Sequence, residues 1–192
     1  MPPAFPAGAL AWIAIGYHLA SRLAYVVGVG AALTLQKRRA WFTRRAGIEA
    51  GYLRFRRLAA TLMNNDAISF ALLCLVTRDT LRVPVSRVVL LLAGVVCIVI
   101  GLGIKAWART ALGSAGYHWR DFFEPSPTAP ASPSGPYRYL KNPMYTVGYV
   151  HAYGFAIATG SLPGLLFAAF DQLAILAFYR VVEKPHFERL PS

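Results

Sequence analysis

The stretch GPYRYLKNPMY, residues 135–145, decides how the chain is organised. Asn142 and Pro143 have the pattern of a helix start, because Asn is a favoured N-cap and Pro is favoured at the first helical position. The residues that follow, 144–159, are mostly apolar or aromatic and contain no Asp, Glu, Lys or Arg. The sequence therefore predicts a basic loop that leads directly into a membrane helix. The exposed N-terminus of such a helix, with its positive dipole end, can bind an anionic group.

Long apolar blocks make up most of the remaining chain. Hydrophobic residues account for 56% of the 192 residues and charged residues for 15%, whereas a soluble domain averages about 25% charged. A membrane-spanning helix needs about 20 mostly apolar residues. Five segments fit this requirement: residues 7–35, 58–77, 85–106, 143–160 and 162–182. We therefore predict an all-α integral membrane protein with about five transmembrane helices, in preference to a soluble protein with a buried helical core.

The last two predicted spans form a helical hairpin. Residues 160–164, Gly-Ser-Leu-Pro-Gly, predict a tight turn between them. An antiparallel hairpin returns Glu183 to the level of Asn142, and Pro185 is expected to end the helix.

The net charge of +12 is concentrated in three segments that lie on one side of a five-span protein. Residues 36–57 alone hold eight Lys or Arg against one Glu. The positive-inside rule makes this side cytoplasmic, which places the N-terminus outside and the C-terminus inside. We expect residues 36–57 to lie on the inner leaflet as an amphipathic helix and to bind anionic lipids. This distribution argues against a nucleic-acid partner, and no protein partner is evident.

Ionisable residues also lie inside the predicted spans, where they mark functional groups or polar contacts between helices. His18 and Arg22 are one turn apart on one face of the first span. Asp171 lies in the middle of the last span and needs a polar partner, for which His151 is the candidate. Residues 125–135, rich in Pro and Ser, have the composition of an extended linker that acts as a lid or as a plain connector.

Several motifs resemble those of the integral-membrane methyltransferases that use S-adenosylmethionine. That superfamily shows GPY, then (R/K)(H/N)PxY, a helical hairpin and EE. This chain has Gly135-Pro136-Tyr137, Lys141-Asn142-Pro143-Met144-Tyr145 and Glu183-Lys184, with Lys in place of the second Glu. Upstream, Gly101-Leu102-Gly103 resembles a GxG, and residues 108–113 resemble an AxxxLG. The superfamily includes phosphatidylethanolamine N-methyltransferases and isoprenylcysteine carboxyl methyltransferases, and the NPMY form resembles the phospholipid branch more.

The resemblance covers roughly residues 101–190 and implies two parts. Residues 1–100 are expected to be N-terminal transmembrane helices with the basic cytosolic segment, and residues 101–192 a methyltransferase core. The C-terminal hairpin and the cytosolic loop of this core are expected to bind S-adenosylmethionine. The implied cofactor-binding residues are Gly101, Gly103, Gly135, Tyr137, Asn142, Pro143, Tyr145 and Glu183. The helix start at Pro143 would bind the carboxylate of the cofactor, Glu183 its ribose hydroxyls, and the tyrosines its purine or sulfonium.

The methyl group of S-adenosylmethionine is already activated, so the protein supplies mainly proximity, orientation and exclusion of water. An amine acceptor must be neutral to attack, and His118 is the expected base. Arg138 and Tyr145 are the other candidate catalytic residues, since Arg138 can hold a carboxylate acceptor and Tyr145 can face the sulfonium. The candidate substrate-binding residues are Asp66, Lys141 and His151. No metal-ligand spacing is present, so no metal cofactor is expected.

We predict a membrane-embedded methyltransferase that acts on a lipid, with the amine of a phospholipid head group preferred as the acceptor. The first alternative is an isoprenylcysteine-type carboxyl O-methyltransferase. A second is a sterol-reductase-like enzyme, although the related pattern there has Glu shortly after the Tyr, where this chain has Gly148-Tyr149. The third is a non-catalytic membrane protein.

Overall fold

A computed structural model describes residues 8–124 and 134–188, apart from the side chains of residues 114 and 115. Over these residues the chain is helical and contains no strand, which confirms the predicted all-α fold. Three 3-10 turns cover Arg120–Phe122, Gly135–Arg138 and Val147–Tyr149, and a π-helical turn covers Tyr179–Glu183. The α-helices are α1 (Ala9–Arg39), α2 (Gly47–Val76), α3 (Arg87–Tyr117), α4 (Val150–Thr159), α5 (Leu162–Phe178) and α6 (Lys184–Phe187).

Four helical stretches within the described residues are long and apolar enough to cross a membrane. They are Ala9–Arg39, Gly47–Val76, Arg87–Gly113 and Leu162–Phe187. Their outer faces carry large apolar side chains that are exposed, among them Leu23, Leu72 and Val99. Helices of this length with apolar outer faces are what a lipid bilayer requires. The protein is an all-helical integral membrane protein.

The helix predicted to start at Asn142 and Pro143 starts instead at Val150. Thr146 has φ −101° and ψ −97°, which interrupts the helical geometry, and the Gly148 N–H donates to the Pro143 carbonyl at 2.8 Å to close a turn. The predicted span 143–160 is therefore a turn followed by a short helix. With ten residues, the regular helix α4 is about 15 Å long, shorter than a hydrocarbon core of about 30 Å. The turn before it makes up part of the crossing to the α4–α5 turn, which is hydrogen-bonded to the α2–α3 turn.

Facing glycines bring α4 against α3. A Cβ atom on Gly94 would lie 2.6 Å from the Gly154 carbonyl oxygen, and one on Gly154 would lie 2.7 Å from the Cβ of Cys97. Gly101 is packed in the same way against the backbone of His151. Small residues allow helix backbones to approach this closely inside a membrane. Gly101, predicted to bind cofactor, thus has a packing role in the α3–α4 interface.

The predicted hairpin between α4 and α5 is confirmed. Gly160 ends α4 in the left-handed conformation, with φ 66°, and the Ser161 side chain caps α5 by accepting the Gly164 N–H at 2.8 Å. Pro185 does not end the helix as predicted. The π-helical turn Tyr179–Glu183 leads into α6, and Pro185 lies in the first turn of α6, where its missing N–H is tolerated.

The basic segment 36–57 is not a single surface helix. Ala40, with φ 48°, ends α1 in the left-handed conformation, and a turn leads to α2, which begins at Gly47. The Gln36 side chain stabilises this turn: its oxygen accepts the Phe42 N–H and its nitrogen donates to the Thr43 hydroxyl, both at 3.0 Å. Consequently α1 and α2 form an antiparallel pair, and the basic residues of this segment gather where the two helices join.

An aromatic cluster ties the segment after α3 to the first two helices. Phe55 of α2 packs against Trp119 and Phe123, with ring centroids 6.2 and 5.1 Å apart, and Tyr52 packs against Phe123. This cluster lies next to the α1–α2 turn, through Phe42. The predicted division into residues 1–100 and 101–192 falls inside α3, and it stays a prediction about function.

Candidate functional site

A cavity of about 1320 Å³ lies between the helices. It extends from Glu183 and Lys184 at one end to Arg22 and Asp171 inside the bundle. Small-molecule sites usually enclose about 300–1,000 Å³, so this cavity has room for a cofactor together with part of a second molecule. α2 and α3 scarcely touch each other, and both contribute to its wall.

The structure brings seven of the predicted site residues to this cavity. They are Asp66, Tyr137, Lys141, Asn142, Tyr145, His151 and Glu183. These residues come from α2, the 3-10 turn Gly135–Arg138, the turn before α4, α4 itself and the π-helical turn, and so the hairpin does return Glu183 to the level of Asn142. Five of the seven belong to the sequence motifs, and Asp66 and His151 are the other two.

Six other predicted residues do not line the cavity: Gly101, Gly103, Gly135, Pro143, His118 and Arg138. Pro143 is fully buried in the turn and Arg138 is exposed. His118 is buried beside the Tyr117 ring, at 4.8 Å between centroids. Gly103 faces open space, since a Cβ atom there would meet nothing within 4 Å.

Glu183 is the centre of one end of the cavity. Its Oε1 atom accepts a hydrogen bond from the Trp119 indole N–H at 2.6 Å and another from the Tyr145 hydroxyl at 2.8 Å. Only 6% of the residue is exposed. No described residue donates to its other oxygen, Oε2. Glu183 is thus held through one oxygen, and its second oxygen faces no donor among the described residues.

Trp119 is a site residue that the sequence did not indicate. It adopts a left-handed backbone conformation with φ 55°, which is uncommon for a large side chain. Packing of its ring against Phe55 and Phe178 holds it in this position. The strained conformation directs the indole N–H at Glu183, a contact that no spacing in the sequence reveals.

The GPY motif brings a tyrosine to the same end. Gly135 has φ 56°, and a Cβ atom there would lie 2.9 Å from the Cβ of Ala111, so only glycine allows this turn to approach α3. Tyr137 follows and lines the cavity. Burial, aided by the Glu183 charge, raises the pKa of the Tyr137 phenol. Its hydroxyl therefore stays protonated at neutral pH and can donate a hydrogen bond.

The π-helical turn places two side chains in the cavity wall. Tyr179 and Glu183, its first and last residues, both line the cavity. The Tyr179 ring contacts the Tyr145 ring at 6.4 Å between centroids. π-helical turns occur frequently at functional sites, and here the turn widens the helix where the site is built.

A buried polar network forms the other end of the cavity. The Arg22 guanidinium donates from Nε to Asp171 Oδ1 at 2.8 Å, and its Nη2 atom lies 3.1 Å from Asp66 Oδ2. The same Nη2 donates to the Tyr149 hydroxyl at 2.5 Å. His18 completes the network, with Nε2 at 3.1 Å from Asp171 Oδ2. The shared face of His18 and Arg22 is therefore a polar contact between helices, as expected.

The predicted pairing of Asp171 with His151 is wrong. The His151 ring contacts the Gly148 carbonyl at 2.7 Å through Nδ1, and Nε2 lies 3.4 Å from the Lys105 ammonium. His151 is on the α3 side of α4, whereas Asp171 faces α1. A sequence shows that a buried Asp needs a partner but does not show which residue the helix packing brings to it.

Comparison with known proteins decides the family. The model of the phospholipid methyltransferase family matches residues 89–190, more than half of the chain. The chain belongs to the phospholipid methyltransferase family. The matched region begins in α3 and contains the GPY and NPMY motifs and Glu183.

Curated relatives of this phospholipid methyltransferase family member carry the name phosphatidylethanolamine N-methyltransferase. The one from Malassezia globosa is 27% identical over 95% of this chain and 20% of its own length. Those from Phaeosphaeria nodorum and Pyricularia oryzae are 35% and 29% identical, over 48% and 72% of this chain. The chain spans only about a tenth to a fifth of the length of these relatives. No solved structure matches.

The family match does not include α1 and α2, yet both helices contribute to the site. Arg22 of α1 and Asp66 of α2 line the cavity from outside the matched region. The site of this phospholipid methyltransferase family member is thus built from both predicted parts of the chain.

Proposed function

We propose that this protein transfers a methyl group from S-adenosylmethionine to the amine of a phospholipid head group. The observation that supports this most is one continuous cavity that joins the family motifs at Glu183 to a charged network inside the membrane. One end suits a polar, partly aromatic cofactor, and the other suits a charged lipid head group. The names of the relatives point to the same reaction.

Residues around Glu183 would hold the cofactor. Glu183 Oε2 is available to accept hydrogen bonds from ribose hydroxyls, and Tyr137, Tyr145 and Tyr179 supply aromatic surface for the purine or the sulfonium. Asn142 lines the same region as a turn residue, without a helix N-terminus behind it. When bound, S-adenosylmethionine supplies an activated methyl group. The chain then has to position the acceptor nitrogen in line with that methyl and exclude water.

The acceptor would enter from the membrane. Asp66, Lys141 and His151 line the cavity and are the proposed contacts for the head group. His118 and Arg138 lie outside the cavity, so we give neither a part in the reaction. Tyr145 remains the proposed group beside the reacting atoms, because its hydroxyl is fixed by Glu183.

The orientation in the membrane follows from charge. Most of the basic residues lie in or near the α1–α2 turn, in the described segments between α3 and α4, and near the C-terminal end of the last span. The α1–α2 turn, residues 121–124 and His186 meet at one end of the bundle. We propose that this end is cytoplasmic, that the N-terminus is outside, and that anionic inner-leaflet lipids contact the basic residues. The cavity would then open at the level of the inner head groups.

The dependence of rate on pH tests the proposed reaction. An ammonium must lose a proton before its nitrogen can attack, so the rate with phosphatidylethanolamine should rise with pH. A carboxylate acceptor is ionised from about pH 6 to 9, and its rate should be flat. The measurement is the initial rate against pH, with labelled S-adenosylmethionine at saturation and with phosphatidylethanolamine or a farnesylcysteine analogue as the acceptor. Methylation of farnesylcysteine alone, with a flat profile, would contradict the proposal in favour of carboxyl methylation.

A further inference from the structure

The inner end of the cavity contains one buried carboxylate oxygen without a donor. Asp66 is 6% exposed, and its Oδ2 atom is paired with Arg22 at 3.1 Å. Its Oδ1 atom has no hydrogen-bond partner among the described residues. A buried acceptor without a donor is costly and is rarely left so in a folded protein. Since Asp66 lines the cavity, a donor on a ligand can supply the missing bond.

Asp171, in the same network, has a polar partner for each of its carboxylate oxygens. Its Oδ1 atom accepts from Arg22 at 2.8 Å, and its Oδ2 atom contacts His18 at 3.1 Å. Both carboxylates contact the Arg22 guanidinium, yet of the two only Asp66 has an oxygen without a hydrogen-bond partner among the described residues. The open position therefore belongs to Asp66 and is not a general property of the network.

Lys105 supplies the opposite charge in the same cavity. Its ammonium lies 3.4 Å from His151 Nε2 and 5.3 Å from the centroid of the Tyr149 ring. No described carboxylate lies within ion-pair distance of it. Lys105 is half-buried, so an anionic ligand group is the partner that would stabilise its charge.

The charges of the buried and half-buried side chains at this end balance. Arg22 and Lys105 contribute two positive charges and Asp66 and Asp171 contribute two negative charges, whereas Lys141 is exposed. Inside a membrane a ligand with a net charge would leave that charge uncompensated, which is costly. A zwitterion with a cationic group for Asp66 and an anionic group for Lys105 keeps the balance.

We propose that the inner end of the cavity binds the zwitterionic head group of an aminophospholipid, with its ammonium on Asp66 Oδ1 and its phosphate on Lys105. This inference rests on the proposed function, because it assigns the residues that hold the acceptor's head group in the same site. The amino-acid part of S-adenosylmethionine is also a zwitterion. The lipid is favoured because α2 and α3, which carry Asp66 and Lys105, scarcely touch. In this proposal the acyl chains stay in the bilayer and the head group lies between these helices.

The test is direct binding to the full chain in nonionic detergent, without turnover. The probes are dihexanoyl phosphatidylethanolamine, dihexanoyl phosphatidylglycerol, which lacks the ammonium, and S-adenosylmethionine, each titrated calorimetrically. We expect Asp66→Asn to weaken phosphatidylethanolamine binding about tenfold or more and to leave the other two affinities unchanged. Lys105→Gln should weaken both phospholipids and lies outside the Arg22 network, so it tests the site even if Asp66→Asn fails to fold. Asp79→Asn, an exposed carboxylate outside the cavity, is the matched control and should bind all three probes normally.

The outcomes separate the two proposals. Unchanged phosphatidylethanolamine binding in both folded cavity variants would overturn the head-group site, even if the wild-type chain methylates this lipid. Weakened S-adenosylmethionine binding with unchanged lipid binding would overturn it in favour of a cofactor subsite. A wild-type chain that binds phosphatidylethanolamine through Asp66 but transfers no methyl group would support the head-group site and contradict the methyltransferase proposal.

Discussion

Glu183 shows how one side chain can be both buried and available. Trp119 and Tyr145 donate to the same oxygen, and no described residue donates to the second. Because the two donors fix the carboxylate, a ribose hydroxyl bound as we propose would meet an acceptor whose position is already set. This preorganisation lowers the cost of ordering the site on binding.

Replacing Glu183 tests this role directly. Under the proposed function, Glu183→Gln should weaken S-adenosylmethionine binding ten- to a hundred-fold, because one charge-assisted hydrogen bond contributes about 1.5–3 kcal/mol. Isothermal titration of the purified protein gives the affinity. Glu49→Gln is the matched control, since Glu49 is exposed at the start of α2 and pairs with Arg120 instead. Equal affinities for the two variants would contradict a cofactor contact at Glu183.

The Arg22 network makes a second prediction, about stability. Asp171→Asn removes a charge that contacts both Arg22 and His18 in a fully buried position. Breaking a buried ion pair by removing one partner costs about 3–5 kcal/mol, so the midpoint of thermal unfolding in detergent should fall clearly. Asp79→Asn removes an exposed charge whose partners are 3.8 and 3.9 Å away, and its midpoint should change little. Similar midpoints for both variants would show that the network does not hold the bundle together.

At the scale of the helices, the lengths of the apolar segments indicated the membrane spans, and the Gly, Ser and Pro residues of the turn indicated the α4–α5 hairpin. The helix start at Asn142 was wrong because local capping preference did not decide the backbone there. Gly148 fits under Lys105 of α3, where a Cβ atom would lie 3.0 Å from the Lys105 side chain, and this close approach coincides with the turn that precedes α4. Tertiary contacts of this kind are absent from a local pattern.

The sequence predicted part of the site, as it predicted part of the helical structure. Motif spacing indicated Glu183, Tyr145 and Asn142, which come together around one cavity. It did not indicate Trp119 or Lys105, because each acquires its role from a partner far away in the chain. The GxG glycines show the reverse case: Gly101 packs against the α4 backbone and neither glycine lines the cavity, so their cofactor contact stays a prediction.

Close packing of α3 and α4 carries a prediction at this scale. Gly154→Ala would place a Cβ atom 2.6 Å from the Gly94 carbonyl oxygen and 2.8 Å from the Ile98 nitrogen. Backbone atoms cannot rotate away as a side chain can, so the helices must move apart. This lowers the free energy of unfolding by about 1–3 kcal/mol. We expect a lower thermal midpoint and slower methyl transfer. Gly16→Ala in α1 meets nothing within 4 Å and should be neutral or slightly stabilising; a normal midpoint for Gly154→Ala would contradict the tight interface.

Across the whole molecule, the charge distribution predicts one orientation. In a variant without Cys74 and Cys97, a membrane-impermeant thiol reagent added outside should label Asp79→Cys, in the turn between α2 and α3. It should reach Arg44→Cys and Ser134→Cys only after the membrane is permeabilised. Asp79, Arg44 and Ser134 are all exposed on the protein surface. Outside labelling at either of the last two positions would reverse the proposed orientation.

The separation of α2 from α3 bears on which concentration of the acceptor controls the rate of this protein. If the acceptor reaches the cavity sideways between these helices, it never passes through water, and the relevant quantity is its mole fraction in the bilayer. Adding more vesicles of the same composition should then leave the rate per protein molecule unchanged. Diluting the aminophospholipid with an inert lipid should lower that rate, because the composition of the membrane then determines the rate of the reaction.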